Sequence, residues 1–103
     1  MTGSDSDNDT TGTKQGERLT AAQAAKAGLQ QLTELIGKPP LGVAAVEPAQ
    51  GGWLVTVEVL EDSRIPSSAD MLGLYEAEID DHAELASYRR LRVYSRGQAR
   101  ASE

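Results

Sequence analysis

The stretch that most constrains the fold is Glu58–Tyr75, EVLEDSRIPSSADMLGLY, within the larger segment Gly52–Gln98. In it one apolar strand stops, a polar turn carrying Arg64 and Pro66 intervenes, and another strand begins. Just upstream, Val55, Val57 and Val59 alternate with Thr56 and Glu58, the two-residue period of a strand with one buried face and one wet face. A chain written this way builds an antiparallel sheet with an apolar side, and that side needs a covering layer.

Two hairpins follow from the turn residues. Val43–Ala49 and Gly52–Glu61 read as strands joined by Gln50-Gly51-Gly52, whose glycines permit the positive φ of a tight turn. Opposing Gln50 to Trp53 sets Val46 against Val57, Ala44 against Val59 and Pro48 beside Val55. Pro48 has no amide to donate, which marks its strand as an edge and leaves self-association by strand pairing open. Leu72–Ile79 and Leu85–Tyr94 form the second pair around Asp81-His82-Ala83-Glu84. Opposing Asp80 to Leu85 sets Leu72 against Val93, Leu74 against Leu91 and Glu76 against Arg89, an expected core face. The opposite face then carries Tyr75 beside Arg90, Ala77 beside Tyr88 and Gly73 beside Arg92, with Tyr94 nearby. Between the hairpins, Ser67-Ser68-Ala69-Asp70 is an S-x-x-D pattern that can cap one helical turn.

The covering layer is expected upstream. Thr20 and Gln23 have the spacing of a capping box, and Gly37 followed by Lys38 and Pro39-Pro40 ends the segment. Ala25, Leu29, Leu32 and Ile36, joined by Ala22, Gly28 and Leu35, recur at helical spacing as one apolar stripe. The expectation is an α+β fold: one N-terminal amphipathic helix packed on a four-stranded antiparallel sheet made of two hairpins. The helix spans about 20–36 and the strands about 43–49, 52–61, 72–79 and 85–94. These form a single domain over 18–98, with a disordered polar tail at 1–17 and a flexible end at 99–103. The core must be aliphatic, since the 103 residues include no Phe and one Trp.

Composition excludes several classes of chemistry. The absence of cysteine removes disulfides, thiolate metal sites and a cysteine nucleophile. No apolar run approaches the roughly 20 residues of a membrane span, and the acidic, polar start is unlike a secretory signal, so the expected location is cytoplasmic. A net charge of −6 makes a general nucleic-acid binder a poor fit. His82, alone among acids in a turn, lacks the companions of a metal or catalytic site. The acids have no calcium-loop spacing, and Gly51-Gly52 lacks the pattern of a phosphate loop. No catalytic residue, cofactor or metal is expected.

Charge is nonetheless segregated. Glu58–Glu84 holds nine acids and only Arg64 as a base, whereas Leu85–Arg100 holds five arginines and no acid. Cross-strand pairing accounts for part of this. The remainder marks a candidate partner-binding set, Tyr75, Tyr88, Arg90, Arg92 and Tyr94 on one solvent face, together with Arg64 on its loop; tyrosine and arginine are what interfaces favour.

Trp53 with the following VTVEV, RIPSSADMLGLYE (Arg64–Glu76) and YRRLRVYSRGQ (Tyr88–Gln98) resemble the gas vesicle protein O family. That resemblance covers nearly half the chain, and it departs in the second turn, where members often carry Asp-Gly and this chain has His82-Ala83. It implies an accessory role in gas vesicle assembly, by contact with other gas vesicle proteins in the cytoplasm or at the vesicle, without forming the bulk shell and with no catalytic residues to transfer. The alternative reading of the residues is a regulatory module that binds an anionic ligand or nucleic acid through the arginine-rich last strand.

Overall fold

The computed structural model describes residues 19–97. The expected tail at 1–17 and end at 99–103 lie outside them. The chain forms α1 (Ala21–Ile36), β1 (Pro40–Ala49), β2 (Gly52–Asp62), a single 3-10 turn (Ser67–Ala69), β3 (Met71–Asp80) and β4 (Leu85–Ser95). The four strands make one antiparallel sheet in the order β1-β2-β3-β4, and α1 lies across it. This is the expected architecture.

The helix ends obey the local rules. Thr20 Oγ1 accepts the Gln23 N–H at 3.1 Å, and Gln23 Oε1 accepts the Thr20 N–H at 2.9 Å, so two otherwise orphaned donors are satisfied reciprocally. Gly37 stops the helix in the left-handed region, at φ 71, with its N–H on the Thr33 carbonyl.

The buried stripe differs from the expected one. Ala24, Gly28 and Leu32 are buried, whereas Ala22 is exposed and Leu35 is 59% exposed. The reason is close approach. A Cβ placed on Gly28 would lie 2.9 Å from Val55 Cβ, so the helix seats its smallest residues against β2 while Leu29 and Ile36 flank the contact. The core is accordingly thin and aliphatic: Ala24 and Leu32 from α1, Val55, Val57 and Val59 from β2, and Tyr75 and Ile79 from β3.

Both hairpin registers are corrected in part. The β1–β2 turn is only Gln50-Gly51, with Gly51 at φ 80 and Ala49 opposite Gly52. Val46 therefore faces Val55 and Pro48 faces Trp53, a slip of two residues from the expected pairing that keeps these side chains on their face. A register shift between Val43 and Ala45 sets Val43 opposite Val57, so the expected Ala44–Val59 pair does not form. In the β3–β4 hairpin, Tyr75–Arg90, Glu76–Arg89 and Ala77–Tyr88 pair as expected. A register shift then carries Leu74 to Arg92, Gly73 to Val93 and Leu72 to Tyr94, leaving Leu91 as the extra residue of a bulge. The pairs Leu72–Val93, Leu74–Leu91 and Gly73–Arg92 do not form, and a second shift between Glu78 and Ile79 sets Leu85 opposite Ile79 rather than Asp80.

The covered side of β3 is also the reverse of the expectation. Val57 pairs with Tyr75 and Val55 with Ala77, and cross-strand partners share a face. Tyr75, Ala77 and Ile79 therefore join the valines beneath α1, and Leu74, Glu76 and Glu78 take the helix-free side. The helix is tied to this sheet at its rim. Trp53 Nε1 donates to the Leu19 carbonyl at 3.1 Å, the Gln31 side-chain amide donates to the Ala83 carbonyl at 2.6 Å, and Gln31 Oε1 accepts the Leu85 N–H at 2.9 Å.

Candidate functional site

The six candidate residues fall in three places. The bulge at Leu91 separates the expected Tyr/Arg face, because Arg92 and Tyr94 on one side of it and Tyr88 and Arg90 on the other point to opposite faces of the sheet.

On the helix-covered face, the rim is built around Glu61, which sequence reasoning missed. The Tyr75 hydroxyl donates to Glu61 Oε2 at 2.7 Å, Lys38 Nζ lies 3.4 Å from Oε1, and Arg90 Nη1 lies 3.8 Å from Oε2. The carboxylate is 10% exposed, set over Gly73, where any Cβ would run into it. The glycine was the available signal: a strand glycine often marks a close approach. Tyr75 is itself buried, and its pKa is pushed above the ordinary value by burial first and by the Glu61 carboxylate second. The Tyr88 ring packs 6.4 Å from that of Tyr75, tilted by 38°, and is 44% exposed. Tyr75 is thus a core residue, and Tyr88 with Arg90 is the part of this group that solvent or a partner can reach.

On the helix-free face, the Tyr94 hydroxyl donates to Glu58 Oε2, and the Arg92 guanidinium lies over the Tyr94 ring at 4.5 Å from its centroid. Burial and the Glu58 carboxylate, opposed by Arg92, push the Tyr94 pKa up to about 12. Beside this group Arg89 Nε meets Glu76 Oε1 at 3.1 Å and Ser87 Oγ meets Glu78 Oε1 at 2.9 Å. Leu54, Glu76, Glu78, Ser87 and Arg89 line a shallow depression of about 220 Å³.

The third place is the loop between β2 and β3. Its organiser is Asp70, 5% exposed. Asp70 Oδ1 accepts the Arg64 N–H at 2.7 Å, Oδ2 meets Arg96 Nη2 at 3.2 Å, and the Asp70 carbonyl accepts the Arg96 N–H at 2.8 Å. The S-x-x-D expectation is corrected here: the single turn exists, but Asp70 reaches back to Arg64 rather than capping it. With its base held, the loop projects Arg64, whose side chain is 52% exposed and paired to Asp62 at 2.8 Å, and Ile65, which is fully exposed beside Pro66. The Ile65-Pro66 peptide is cis.

His82 is exposed in a turn whose organiser is Asp80, which accepts the N–H groups of His82 and Glu84 at 2.8 and 3.0 Å. Those bonds, the Glu84 one first, hold the Asp80 carboxyl below its ordinary pKa. Among the described residues no three His, Asp or Glu side chains are grouped to hold a metal, and no helix is long and apolar enough to cross a membrane. The fold and its surface define a small helix-on-sheet protein whose candidate contacts are a projecting loop and the arginine-bearing strand.

Residues 7–100 match the family described as gas vesicle synthesis protein GvpO, and the chain belongs to that family. It is 45% identical over 69 residues to gas vesicle protein O of Streptomyces sp. (strain CB03234), a match covering 67% of this chain and 54% of that protein. It is 32% identical over 81 residues to gas vesicle protein O of Haloferax mediterranei, covering 78% and 53%. Against gas vesicle protein O1 of Halobacterium salinarum it is 28% identical over 79 residues, covering 77% and 66%. The matched region thus spans little more than half the length of the first two relatives. No solved structure matches the chain.

Proposed function

We propose that the chain serves gas vesicle formation as a non-catalytic binding protein that contacts other gas vesicle proteins in the cytoplasm or at the vesicle. Family membership supports the process. The observation that carries the contact is the β2–β3 loop, where Asp70 fixes the base and Arg64 and Ile65 are held out to solvent. A pre-ordered loop loses little conformational entropy on binding, and an exposed branched aliphatic beside a guanidinium suits a partner pocket that is apolar with an acidic rim. The anion-binding alternative is weakened by the arginines themselves. Arg89, Arg90 and Arg96 each face a carboxylate, and Arg92 alone on the last strand has none among the described residues, so a phosphate would meet one free guanidinium rather than a cluster.

The test is capture of individual gas vesicle proteins from the same organism by tagged full-length chain, compared with Ile65→Ser and Arg64→Ala. Both positions are exposed, so the variants fold. The expected result is a defined partner whose retention falls at least tenfold with Ile65→Ser and less with Arg64→Ala. Capture of nucleic acid alone, released by modest salt, overturns the proposal.

A further inference from the structure

The two edges of the sheet are treated differently. β1 carries Pro40 and Pro48, has two register shifts against β2, and bears one charge, Glu47. β4 also has two register shifts, against β3, so bulges do not distinguish the edges; the prolines do, because each withholds an amide from an added strand. β4 has no proline, pairs regularly over Ser87–Arg90, and is exposed without interruption from Ala86 to Val93. Its edge carries Arg89, Arg90 and Arg92, with Arg89 73% and Arg90 56% exposed, and Arg92 has no carboxylate partner among the described residues.

We infer that β4 is a docking edge for an extended acidic segment of a partner protein, which adds as a fifth strand. This rests on the proposed binding function and supplies a mode for it. Unpaired amides and carbonyls along an edge strand give such a segment its backbone hydrogen bonds, and side-chain alternation gives it specificity. A strand laid on β4 places successive side chains on alternate faces, next to Arg89 and Arg92 on the helix-free side and next to Tyr88 and Arg90 on the helix-covered side. Carboxylates at alternate positions of such a strand share one face, and on the helix-free side that face holds Arg92, which has no carboxylate partner among the described residues, and Arg89, whose Nε is paired to Glu76 while its side chain is 73% exposed. A second copy of β4 would oppose arginine to arginine, so the same charges that attract an acidic strand reject self-pairing.

The probe is a nine-residue peptide of alternating glutamate and valine, with its lysine-and-valine counterpart as control. Binding to the full chain is followed by fluorescence anisotropy, and the site is read by amide hydrogen exchange. The expected result is binding of the acidic peptide only, with slowed exchange confined to β4 amides, and at least tenfold weaker binding to Arg89→Gln/Arg92→Gln. Equal binding of both peptides, no binding of either, protection elsewhere than β4, tighter binding of a single-stranded oligonucleotide than of the acidic peptide, or self-association at the concentrations used overturns the inference. The outcomes separate the two proposals. A captured gas vesicle protein that protects the β2–β3 loop but not β4 leaves the binding function standing and removes the edge, whereas β4-specific peptide binding without any captured gas vesicle protein does the reverse.

Discussion

The two faces of the sheet carry the same motif, a tyrosine hydroxyl donating to a glutamate, in two different settings. Beneath the helix, Tyr75 donates to Glu61, whose carboxylate is also approached by Lys38 and Arg90. On the helix-free face, Tyr94 donates to Glu58, and the neighbouring cation, Arg92, sits on the ring rather than on the carboxylate. A carboxylate withdrawn from water needs its lone pairs and its charge answered, and Glu61 has both. The lesson concerns where selection for stability and availability for binding can coexist. Both faces pair their glutamates internally; what differs is the cation, which is drawn onto Glu61 beneath the helix, whereas on the helix-free side Arg92 has no carboxylate partner among the described residues and Arg89 is 73% exposed, within reach of a partner.

The largest expected effect breaks the comparison if the faces are energetically alike. Leu32 is fully buried between α1 and the sheet, whereas Leu54 is half-buried on the helix-free side. Leu32→Ala is expected to cost about 2–5 kcal/mol from lost burial and the cavity left behind. Leu54→Ala, whose side chain already meets solvent, is expected to cost about 1 kcal/mol or less. Urea denaturation of both variants at pH 7 decides it. Equal shifts in midpoint would mean that the helix-free face is also core.

Next in size is Gly73→Ala. The added methyl has no room except by displacing the Glu61 side chain, and with it the contacts to Tyr75, Lys38 and Arg90. The expected loss is about 1–3 kcal/mol. The same denaturation series checks it, and a double variant with Glu61→Ala should recover part of the loss because it removes the obstruction. Full additivity of the two changes would show that Glu61 is not what crowds Gly73.

The fold was legible in the sequence to the extent that its signals are local and apolar. Thr20 with Gln23, Gly37, and the Val55, Val57, Val59 alternation specify a capped helix and a one-faced strand, and each is found in place. What was not legible depended on partners. The β3 side facing the helix is set by its register with β2; the large aliphatics Leu72 and Leu74 point to one side, but the same side carries Glu76, Glu78 and Asp80, and those acids were the signal for the side that water reaches. The Leu91 bulge lies in YRRLRVY, a strand with no strict alternation to betray a shift. The S-x-x-D pattern assigns Asp70 to a local cap, and Glu61 looks like an ordinary acid, because nothing in their neighbours' identities marks burial or the distant partners they find. Of the candidate set, Arg64 is where a projecting loop predicts, while Tyr75 and Tyr94 are taken into the fold by glutamates distant in sequence.

The tyrosine pairs also make a pH prediction that tells the faces apart. Both tyrosines have a raised folded-state pKa, Tyr94 to about 12, against an unfolded value of 10.0. The folded state therefore holds its phenolic protons where the unfolded state has begun to lose them. The stability each contributes is fully present below pH 10 and is lost as pH rises from there through the folded-state pKa. Urea midpoints at pH 8, 10 and 11 should fall across the upper interval, and Tyr94→Phe should flatten that fall more than Tyr75→Phe, because Arg90 opposes the rise at Tyr75 through hydrogen bonding as well as charge, whereas Arg92 opposes that at Tyr94 through charge alone. A fall unaffected by Tyr94→Phe would mean that the hydroxyl–Glu58 contact does not persist in solution.

The smallest expected change is a gain, and it tests how the helix-covered side is closed at the β3–β4 turn. Ala83 is the one non-glycine residue with positive φ among those described, at 64°. Its carbonyl is nevertheless the acceptor for Gln31, so the helix grips the turn at a residue whose side chain disfavours that conformation. Ala83→Gly relieves the steric cost in the folded state but gives the unfolded chain more freedom, so the two terms oppose. The steric term, roughly 1–2 kcal/mol for an L-residue in the left-handed region, exceeds the entropic one, roughly 0.4–1 kcal/mol, and a net gain below about 1 kcal/mol is expected. In the Gln31→Ala background the turn is no longer gripped and can relax, so the gain should shrink. A thermal melt of the four proteins in that cycle reads the coupling. A gain that is the same with and without Gln31 would mean that the turn takes its shape from Asp80 alone, through the bonds it accepts from His82 and Glu84, and that the helix adds nothing to it.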